Sequence, residues 1–463
     1  MPIPIICADE RVRHFAESFR HCFSKPQYQH FVTVLLALLL CLEARTLCGL
    51  HRAVPASRAY CGLSRFLSRA PWDQAALVEA WCARFRRQLT RLVAAERARL
   101  HVERPGYAGR GRPPASVTRV TGYLIGDDST MHKPKGRKMA GVGKHFSSTV
   151  GHPVQGHSLM TTLYVLLGRR CPQTPSLYRQ REVCQAEGVP FKSKIDLMVE
   201  QIESFEPVQG TNTHVLVDSW FTCKAVWKAA RQRGFGLTGG LKANRSVRVE
   251  DPDGEHGWRW QPLPEYAAGI REEDYVQVCW PRARGEGLMS VSVRGGTEMR
   301  DTEQADAGEG RRMVYVHVIT TRVRKLYRCQ LLVVRESLGA PLSEARYWTS
   351  SDLEASVEQL LRHVAARWDI EVLFADCKEL LGLDQYQLMS ATSIERFWTL
   401  TLAAYTLLDE QRACLQAGTS QHVTIGDARR EIQRVHRRHL LDWLHQQFVD
   451  GVPQEHLYDL LAA

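Results

Sequence analysis

The sequence lacks an apolar run long enough to cross a bilayer, an internal repeat and a leader peptide. Its most apolar segment, Phe31 to Leu42, ends at Glu43 and is shorter than the roughly 20 residues that a spanning helix needs. The first residues include Asp9, Glu10 and Glu17 instead of a basic and then apolar pattern. We therefore expect a cytoplasmic protein with no membrane partner, in which the apolar segment is a buried helix.

Paired cysteines are missing as well. None of the 13 cysteines belongs to a Cys-x-x-Cys pair, and no Cys/His spacing is typical of a zinc module. An odd number of cysteines without a leader predicts reduced thiols. Acidic residues are the minority, 50 against 61 Lys and Arg, which gives a net charge of +11. This balance predicts an acidic partner, of which nucleic acid is the commonest.

Hydrophobic periodicity predicts an α/β fold of several domains. The first 115 residues are predicted to be helical and end in a Gly/Pro/Arg-rich linker at 108–115. Strand-like runs at 119–126, 157–167, 213–221 and 236–242 then alternate with helical segments, which indicates a mixed sheet. The predicted boundaries are 1–115 for a helical domain, 116–246 and 343–412 for two parts of an α/β core, 247–342 for a β-rich insertion with a strand-like run at 289–293, and 413–463 for a basic helical region.

Three carboxylates stand out within this pattern. Asp127 and Asp218 each follow a short apolar run, and Glu371 lies in the segment 363–382, which is predicted as one helix ending at Gly382. Three carboxylates can bind two Mg²⁺ or Mn²⁺ ions about 3.5–4 Å apart, the arrangement for in-line displacement at phosphorus. Each Asp alone is more often a strand-end or capping residue, so the combination carries the prediction. Asp128 is an alternative to Asp127, which is preferred because it ends the apolar run directly.

Cations and aromatic residues near these carboxylates have two interpretations each. Arg367 and Lys378 share a helix face with Glu371. These two cations either hold phosphates or belong to a solvated helix face with one salt bridge. The loop cations either grip DNA or are solvated; they are Lys133, Lys135, Arg137 and Lys138. Trp220 and Trp368 could stack on a flipped base, but core packing is favoured for both. Ordinary polar contacts are expected for His214 and His363.

The chain resembles a bacterial insertion-sequence transposase of the DDE class with a ribonuclease-H-like catalytic core, over roughly residues 118–410. The resemblance rests on Asp127-Asp128-Ser129, Val217-Asp218-Ser219-Trp220, Lys242-Ala243-Asn244-Arg245 and the trio Arg367, Glu371 and Lys378. The trio matches the Arg-Glu-Lys part of a Tyr-Arg-Glu-Lys signature, and Val364 stands where the tyrosine is expected. That family also has a β-rich insertion before the glutamate.

The resemblance implies a function for these residues. Asp127 or Asp128, Asp218 and Glu371 would bind the metal ions, and Arg367 and Lys378 would hold phosphates near a transposon end. The other implied DNA contacts are Trp220, Lys242, Asn244 and Arg245. The resemblance also implies that the helical domain 1–115 binds DNA and that 116–246 and 343–412 form the catalytic core.

The expected protein is a cut-and-paste transposase that acts as a homodimer on double-stranded DNA, in a bacterial cytoplasm at the nucleoid. Two alternatives stay open: a metal-dependent nuclease without strand transfer, and a non-catalytic DNA-binding protein descended from a transposase.

Overall fold

The structure, a computed structural model, describes residues 10–54, 59–102, 120–147, 150–280 and 312–462. The predicted linker at 108–115 and the strand-like run at 289–293 lie outside these residues. Within them, no helix combines the length and the apolar character needed to cross a membrane.

The N-terminal part is helical, as predicted. The apolar segment forms a helix whose side chains are largely buried, and two arginines from outside the helix bind its carbonyl end. Arg45 Nε donates to Leu38 O at 3.2 Å, and Arg429 Nε donates to Leu39 O at 3.0 Å. These bonds satisfy carbonyls that have no partner inside a helix. The helices are α1 (Glu10–Glu17), α2 (Lys25–Leu40), α3 (Leu47–Ala53), α4 (Tyr60–Ser68) and α5 (Gln74–Val102).

A mixed sheet of eleven strands forms the centre of the described residues. The first long strand, β1, pairs antiparallel with β3 and parallel with β6, and β6 pairs parallel with β7. This antiparallel pair followed by two parallel strands is the ribonuclease-H-like arrangement, which confirms the predicted fold class. The strands are β1 (Val120–His132), β2 (Gly143–Ser147), β3 (His152–Leu166), β4 (Arg169–Pro172), β5 (Ser176–Tyr178), β6 (Thr211–Val217) and β7 (Gly236–Leu241).

Helices cover both faces of this sheet. On one face, Met198 of the second helix after β5 approaches Gly126 so closely that an added Cβ would lie 2.3 Å from Met198 Cε. On the other face, the Tyr123 ring contacts His363 of a later helix, with 5.6 Å between ring centroids. The helices among these strands are α6 (Arg181–Glu187), α7 (Lys194–Ser204) and α8 (Lys224–Gln232).

The predicted insertion is rich in strands, and most of them extend the central sheet. The strand that follows the insertion pairs with β7, and three strands of the insertion continue outward from it. A separate two-stranded ribbon precedes them. The domain boundaries stay predictions. The elements are β8 (Ser246–Glu250), β9 (Trp258–Pro262), α9 (Leu263–Ala268), β10 (Val276–Cys279), β11 (Met313–Arg322), β12 (Arg328–Arg335) and β13 (Arg346–Ser350).

The prediction of one continuous helix over 363–382 is wrong. The helix is interrupted at Arg367 and Trp368, where Trp368 N donates to Ala365 O at 3.1 Å and Glu371 N donates to Trp368 O at 3.0 Å. Such i to i−3 bonds tighten the turn. The predicted end is confirmed, because Gly382 has φ of 67°. The C-terminal helices are α10 (Val357–Ala366), α11 (Asp369–Leu381), α12 (Ala391–Gln416), α13 (Ile425–Val449) and α14 (Gln454–Ala462).

A buried histidine pair joins β6 to α10. The rings of His214 and His363 stack with 4.0 Å between centroids, and His214 Nε2 shares a hydrogen bond of 2.8 Å with Thr238 Oγ1. These are the ordinary polar contacts that the sequence predicted. Burial lowers the pKa of His363 to about 4 and that of His214 well below its usual value. Burial also lowers the pKa values of His145 and His157 to about 4.

These histidines predict loss of stability in mild acid. Between pH 6.5 and about 4 these histidines bind protons in the unfolded chain but stay neutral in the folded protein. The free energy of unfolding therefore falls as the pH falls. Each such histidine contributes about 1.4 kcal/mol per pH unit, and the contribution is fully present above pH 6.5. Urea denaturation at several pH values measures the slope. Replacing His363 by Gln should reduce this slope, and an unchanged slope in that variant contradicts the prediction.

Candidate functional site

Asp127 and Asp128 lie within β1 and face opposite sides of the sheet. The strand does not end at Asp127, as the sequence suggested, but continues to His132. Because side chains alternate along a strand, Asp127 shares the face of Tyr123, on which α10 packs. Asp128 shares the face of Gly126, on which α7 packs.

Asp128 is bound by partners on the α7 side. Its Oδ2 lies 2.6 Å from Lys194 Nζ and accepts a hydrogen bond of 2.9 Å from Ser158 Oγ. Lys194 is the first residue of α7, so this ion pair holds the helix against β1. The backbone N of Asp128 also donates to Asp127 Oδ1 at 2.8 Å.

Asp218 comes directly after β6, next to Asp127. The parallel pairing places Val217 opposite Gly126, so the following residues, Asp218 and Asp127, are neighbours across the two strands. Asp218 Oδ1 accepts hydrogen bonds from the backbone N of Trp220 at 2.9 Å and of Phe221 at 3.1 Å. Both bonds use the same carboxylate oxygen and fix the loop after the strand.

Arg367 connects Glu371 to Asp127. Its Nη2 lies 2.6 Å from Glu371 Oε1, and its Nη1 lies 3.6 Å from Asp127 Oδ2. The Arg367 side chain is only 15% exposed, whereas that of Glu371 is 32% exposed. Lys378, two turns further along α11, donates from Nζ to Thr130 O of β1 at 3.3 Å. The interrupted helix therefore presents Arg367, Glu371 and Lys378 to β1, as the spacing predicts.

Asp127 lies where negative charge is in excess. Burial, followed by the neighbouring carboxylates of Asp218 and Asp128, raises the pKa of Asp127 to about 7. The backbone N–H of Asp128 and the Arg367 guanidinium act in the opposite direction but do not outweigh these effects. A cation placed between Asp127 and Asp218 would therefore be bound favourably.

Carboxylates are suitable ligands for a hard divalent cation, although these carboxylates do not surround a preformed metal site. In the part of the chain that the structure describes, no group of three or more His, Cys, Asp or Glu side chains stands ready to hold a metal ion. Arg367 separates Glu371 from Asp127, and its charge occupies the position between them. Carboxylate oxygens are the ligands that Mg²⁺ and Mn²⁺ prefer, so the donor set fits the predicted ions.

Both tryptophans beside the site are exposed, so core packing, the favoured interpretation, is wrong for them. Trp220 is 58% exposed and Trp368 is 48% exposed. Each lies in a connection rather than inside a helix or strand: Trp220 follows β6, and Trp368 lies between α10 and α11. Lys242 Nζ lies 4.6 Å from the centroid of the Trp220 ring. The pair combines an aromatic face and a positive charge on one surface.

Lys133 is not available to grip DNA, so the prediction for this residue is wrong. Its side chain is buried. Nζ donates to the backbone carbonyls of Asp384 and Tyr386, the latter at 2.7 Å. The same atom lies 3.7 Å from the centroid of the Tyr386 ring. These contacts fix the loop after β1 to the segment after α11. Three cations of the same loop are exposed: Lys135, Arg137 and Lys138.

The turn after β7 is tied to the loop that carries Asp218. Arg245 Nη2 donates to Thr222 O at 2.9 Å, while Lys242 and Asn244 are exposed. Lys242 therefore lies next to the site because it contacts the Trp220 ring. Arg245 instead binds a carbonyl of the protein.

Sequence reasoning missed the ion pair at the start of α11. Arg170 Nη2 of β4 lies 2.9 Å from Asp369 Oδ1, and both side chains are nearly buried. The two residues are separated by 199 positions, so no local pattern links them. Arg170 directly follows Arg169, and Asp369 lies two positions before Glu371, so neither charge stands out in the sequence as one that needs a buried partner.

The chain matches two family models. The model of the DDE superfamily endonuclease covers residues 18–278, and that of the transposase DDE domain covers residues 192–407. No curated protein matches. Among solved structures, the piggyBac transposase synaptic complex with hairpin DNA is similar to the chain at a TM-score of 0.42 and 8% identity, over 95% of this chain and 76% of that one. The endonuclease match spans more than half of the 463 residues. The chain belongs to the DDE superfamily of endonucleases.

Proposed function

We propose that the protein is a DNA transposase that cleaves DNA at the ends of its mobile element and joins the strands to a target. The observation that carries the proposal is that Asp127 and Asp218 are neighbours on two paired strands and that Arg367 links Asp127 to Glu371 of α11. Asp127 rather than Asp128 is the proposed ligand because it faces Arg367, which pairs with Glu371, whereas Asp128 is bound by Lys194 on the other side of the sheet.

In this proposal Asp127, Asp218 and Glu371 hold divalent metal, Mg²⁺ or Mn²⁺, as two ions. The metal would activate the attacking water or 3′-hydroxyl and stabilise the leaving oxygen. Arg367 offers a planar, bidentate group to a phosphate beside these carboxylates, and Lys378 adds charge on the same face of α11. Trp220 and Lys242 offer a stacking surface next to Asp218 for an unpaired base.

The partner is double-stranded DNA, both the element ends and the target, and the proposed assembly is a homodimer on paired ends. The experiment uses supercoiled plasmids with and without the element ends, in Mg²⁺ or Mn²⁺ and in EDTA. Joined products that require the ends support transposition. Nicking without joining supports the alternative of a plain nuclease, and DNA binding without cleavage supports the non-catalytic alternative.

The exposed loop cations yield a separate prediction. Replacing Lys135 and Lys138 together by Gln should weaken DNA binding and reduce the salt dependence of the binding constant by roughly one unit of slope per lysine, since each phosphate contact releases counterions. Fluorescence anisotropy with a DNA duplex at several salt concentrations measures this. Lys228, exposed on α8 on the opposite face of the sheet, is the matched control, and its replacement by Gln should change neither quantity. Equal slopes in all variants would exclude the loop from the interface.

A further inference from the structure

The helix that carries Glu371 begins at a buried ion pair. Asp369 is the first residue of α11, and its carboxylate lies 2.9 Å from Arg170 Nη2, with side-chain exposures of 11% and 10%. Nothing in the proposed chemistry uses this pair. Charged side chains are rarely buried without a partner, so the pair must contribute to the arrangement of the elements it joins.

Arg170 is itself held firmly by α12. Its backbone N donates to Asp409 Oδ2 at 3.0 Å, and the neighbouring Arg169 places Nε 2.8 Å from the same oxygen. Arg412 Nη2 lies 2.8 Å from the other oxygen, Oδ1. Asp409 is fully buried. These bonds hold strand β4 against α12. The Arg170 guanidinium therefore has a fixed position, to which the start of α11 is attached through Asp369.

The rotation of α11 about its axis depends on this point. Successive helical residues are about 100° apart, so Asp369 and Glu371 lie on nearly opposite sides of the helix. Holding Asp369 inward against Arg170 therefore turns Glu371 outward, toward Arg367 and Asp127.

Small rotations matter at the carboxylate. A side-chain atom roughly 5–6 Å from the helix axis moves by about 2 Å when the helix turns by about 20°. Metal–ligand distances tolerate only about 0.2 Å. An element that fixes the rotation of α11 thus decides whether Glu371 reaches an ion bound at Asp127 and Asp218.

We propose that Arg170 and Asp369 form a positioning pair that sets the rotation of α11 and so places Glu371 for metal binding. This inference rests on the proposed function. Neither residue touches the reacting atoms: they act through the helix alone.

The test measures Mn²⁺ binding to the full chain without DNA, by electron paramagnetic resonance of free Mn²⁺, at a temperature where every variant is folded by circular dichroism. Asp369→Asn keeps the shape of the side chain but removes its charge. We expect Mn²⁺ affinity to fall by about 10–100-fold, the range for residues that orient metal ligands, and the Mn²⁺ concentration required for DNA cleavage to rise accordingly. The affinity for DNA in EDTA should not change.

A matched control separates positioning from general stability. Glu410 pairs with Arg84 at 2.9 Å, with side-chain exposures of 16% and 17%, and joins α12 to α5 away from the carboxylates. Glu410→Gln should lower the melting temperature but leave Mn²⁺ affinity unchanged. Arg170→Lys keeps the positive charge but loses the planar guanidinium, so it should give a smaller loss of Mn²⁺ affinity than Asp369→Asn. If Asp369→Asn does not fold, this variant tests the positioning pair in its place.

Two outcomes overturn the inference, and they differ. If the wild-type chain binds Mn²⁺ and cleaves DNA but the folded variants bind Mn²⁺ equally well, the positioning pair is refuted and the proposed function stands. If the wild-type chain neither binds Mn²⁺ nor cleaves DNA, the proposed function fails and this inference fails with it.

Discussion

Replacing Glu371 by Gln is expected to reduce metal-dependent DNA cleavage by about 10³-fold or more. The amide has nearly the same shape as the carboxylate but is neutral, so it is a far weaker ligand for a hard cation. A metal ion contributes several kcal/mol of transition-state stabilisation, and each 1.36 kcal/mol corresponds to about tenfold in rate. Single-turnover cleavage of a labelled duplex carrying an element end measures the loss.

Stability and DNA binding should survive this change. Glu371 is paired with Arg367 but is one-third exposed, and such pairs contribute less than about 1 kcal/mol. Glu379, exposed on the same helix, provides the matched control, and its replacement by Gln should leave cleavage unchanged. Asp127→Asn should resemble Glu371→Gln in cleavage. If Glu371→Gln retains full cleavage, Glu371 is not a metal ligand; if the element functions in cells although cleavage is absent in every variant, the non-catalytic alternative is favoured.

The sequence predicted those parts of the site that depend on neighbouring residues. A short apolar run followed by Asp marked Asp127 and Asp218, because strand burial and the alternation of side chains are local properties. The four-residue spacing of Arg367 and Glu371 predicted their shared face, and the structure confirms the salt bridge between them. The interruption of the helix between these two residues left that spacing almost unchanged.

The sequence did not predict properties set by distant contacts. Lys133 is buried because carbonyls some 250 positions away accept its hydrogen bonds. Trp220 and Trp368 are exposed because each lies in a connection rather than in a packed element, and an apolar ring in a sequence gives no sign of this. The proposal of Asp127 over Asp128 depends on which face of β1 lies toward Arg367, and no local pattern predicts that face. The strands of the insertion were recognisable from their alternating pattern. Their attachment to β7 through β13 was not, because strand pairing across a sheet is a tertiary property.

Replacing Asp409 by Asn is expected to destabilise the fold more than any other single change proposed here. The carboxylate is fully buried and faces three arginines. Burial alone would raise the pKa of Asp409, but the charges of Arg412, Arg169 and Arg170 outweigh it and hold the pKa below its usual value. An isosteric amide leaves these cations without their counter-charge, which typically costs about 3–5 kcal/mol in the free energy of unfolding.

Urea denaturation at pH 7 measures this loss, and Asp427→Asn is the control. Asp427 also pairs with an arginine, Arg430 at 2.5 Å, but the side chain of Asp427 is 40% exposed and that of Arg430 is 69% exposed. Its replacement should therefore cost only about 1 kcal/mol.

The pH dependence gives a second readout. Because the folded pKa of Asp409 is depressed, its stabilisation is present above its unfolded pKa and is lost as pH falls through the folded value. Asp409→Asn should therefore remove part of the stability loss below pH 4. A cost below about 1 kcal/mol at pH 7 would mean that α12 and β4 are held together by apolar packing, and Arg170 would then not be the fixed point on which α11 depends.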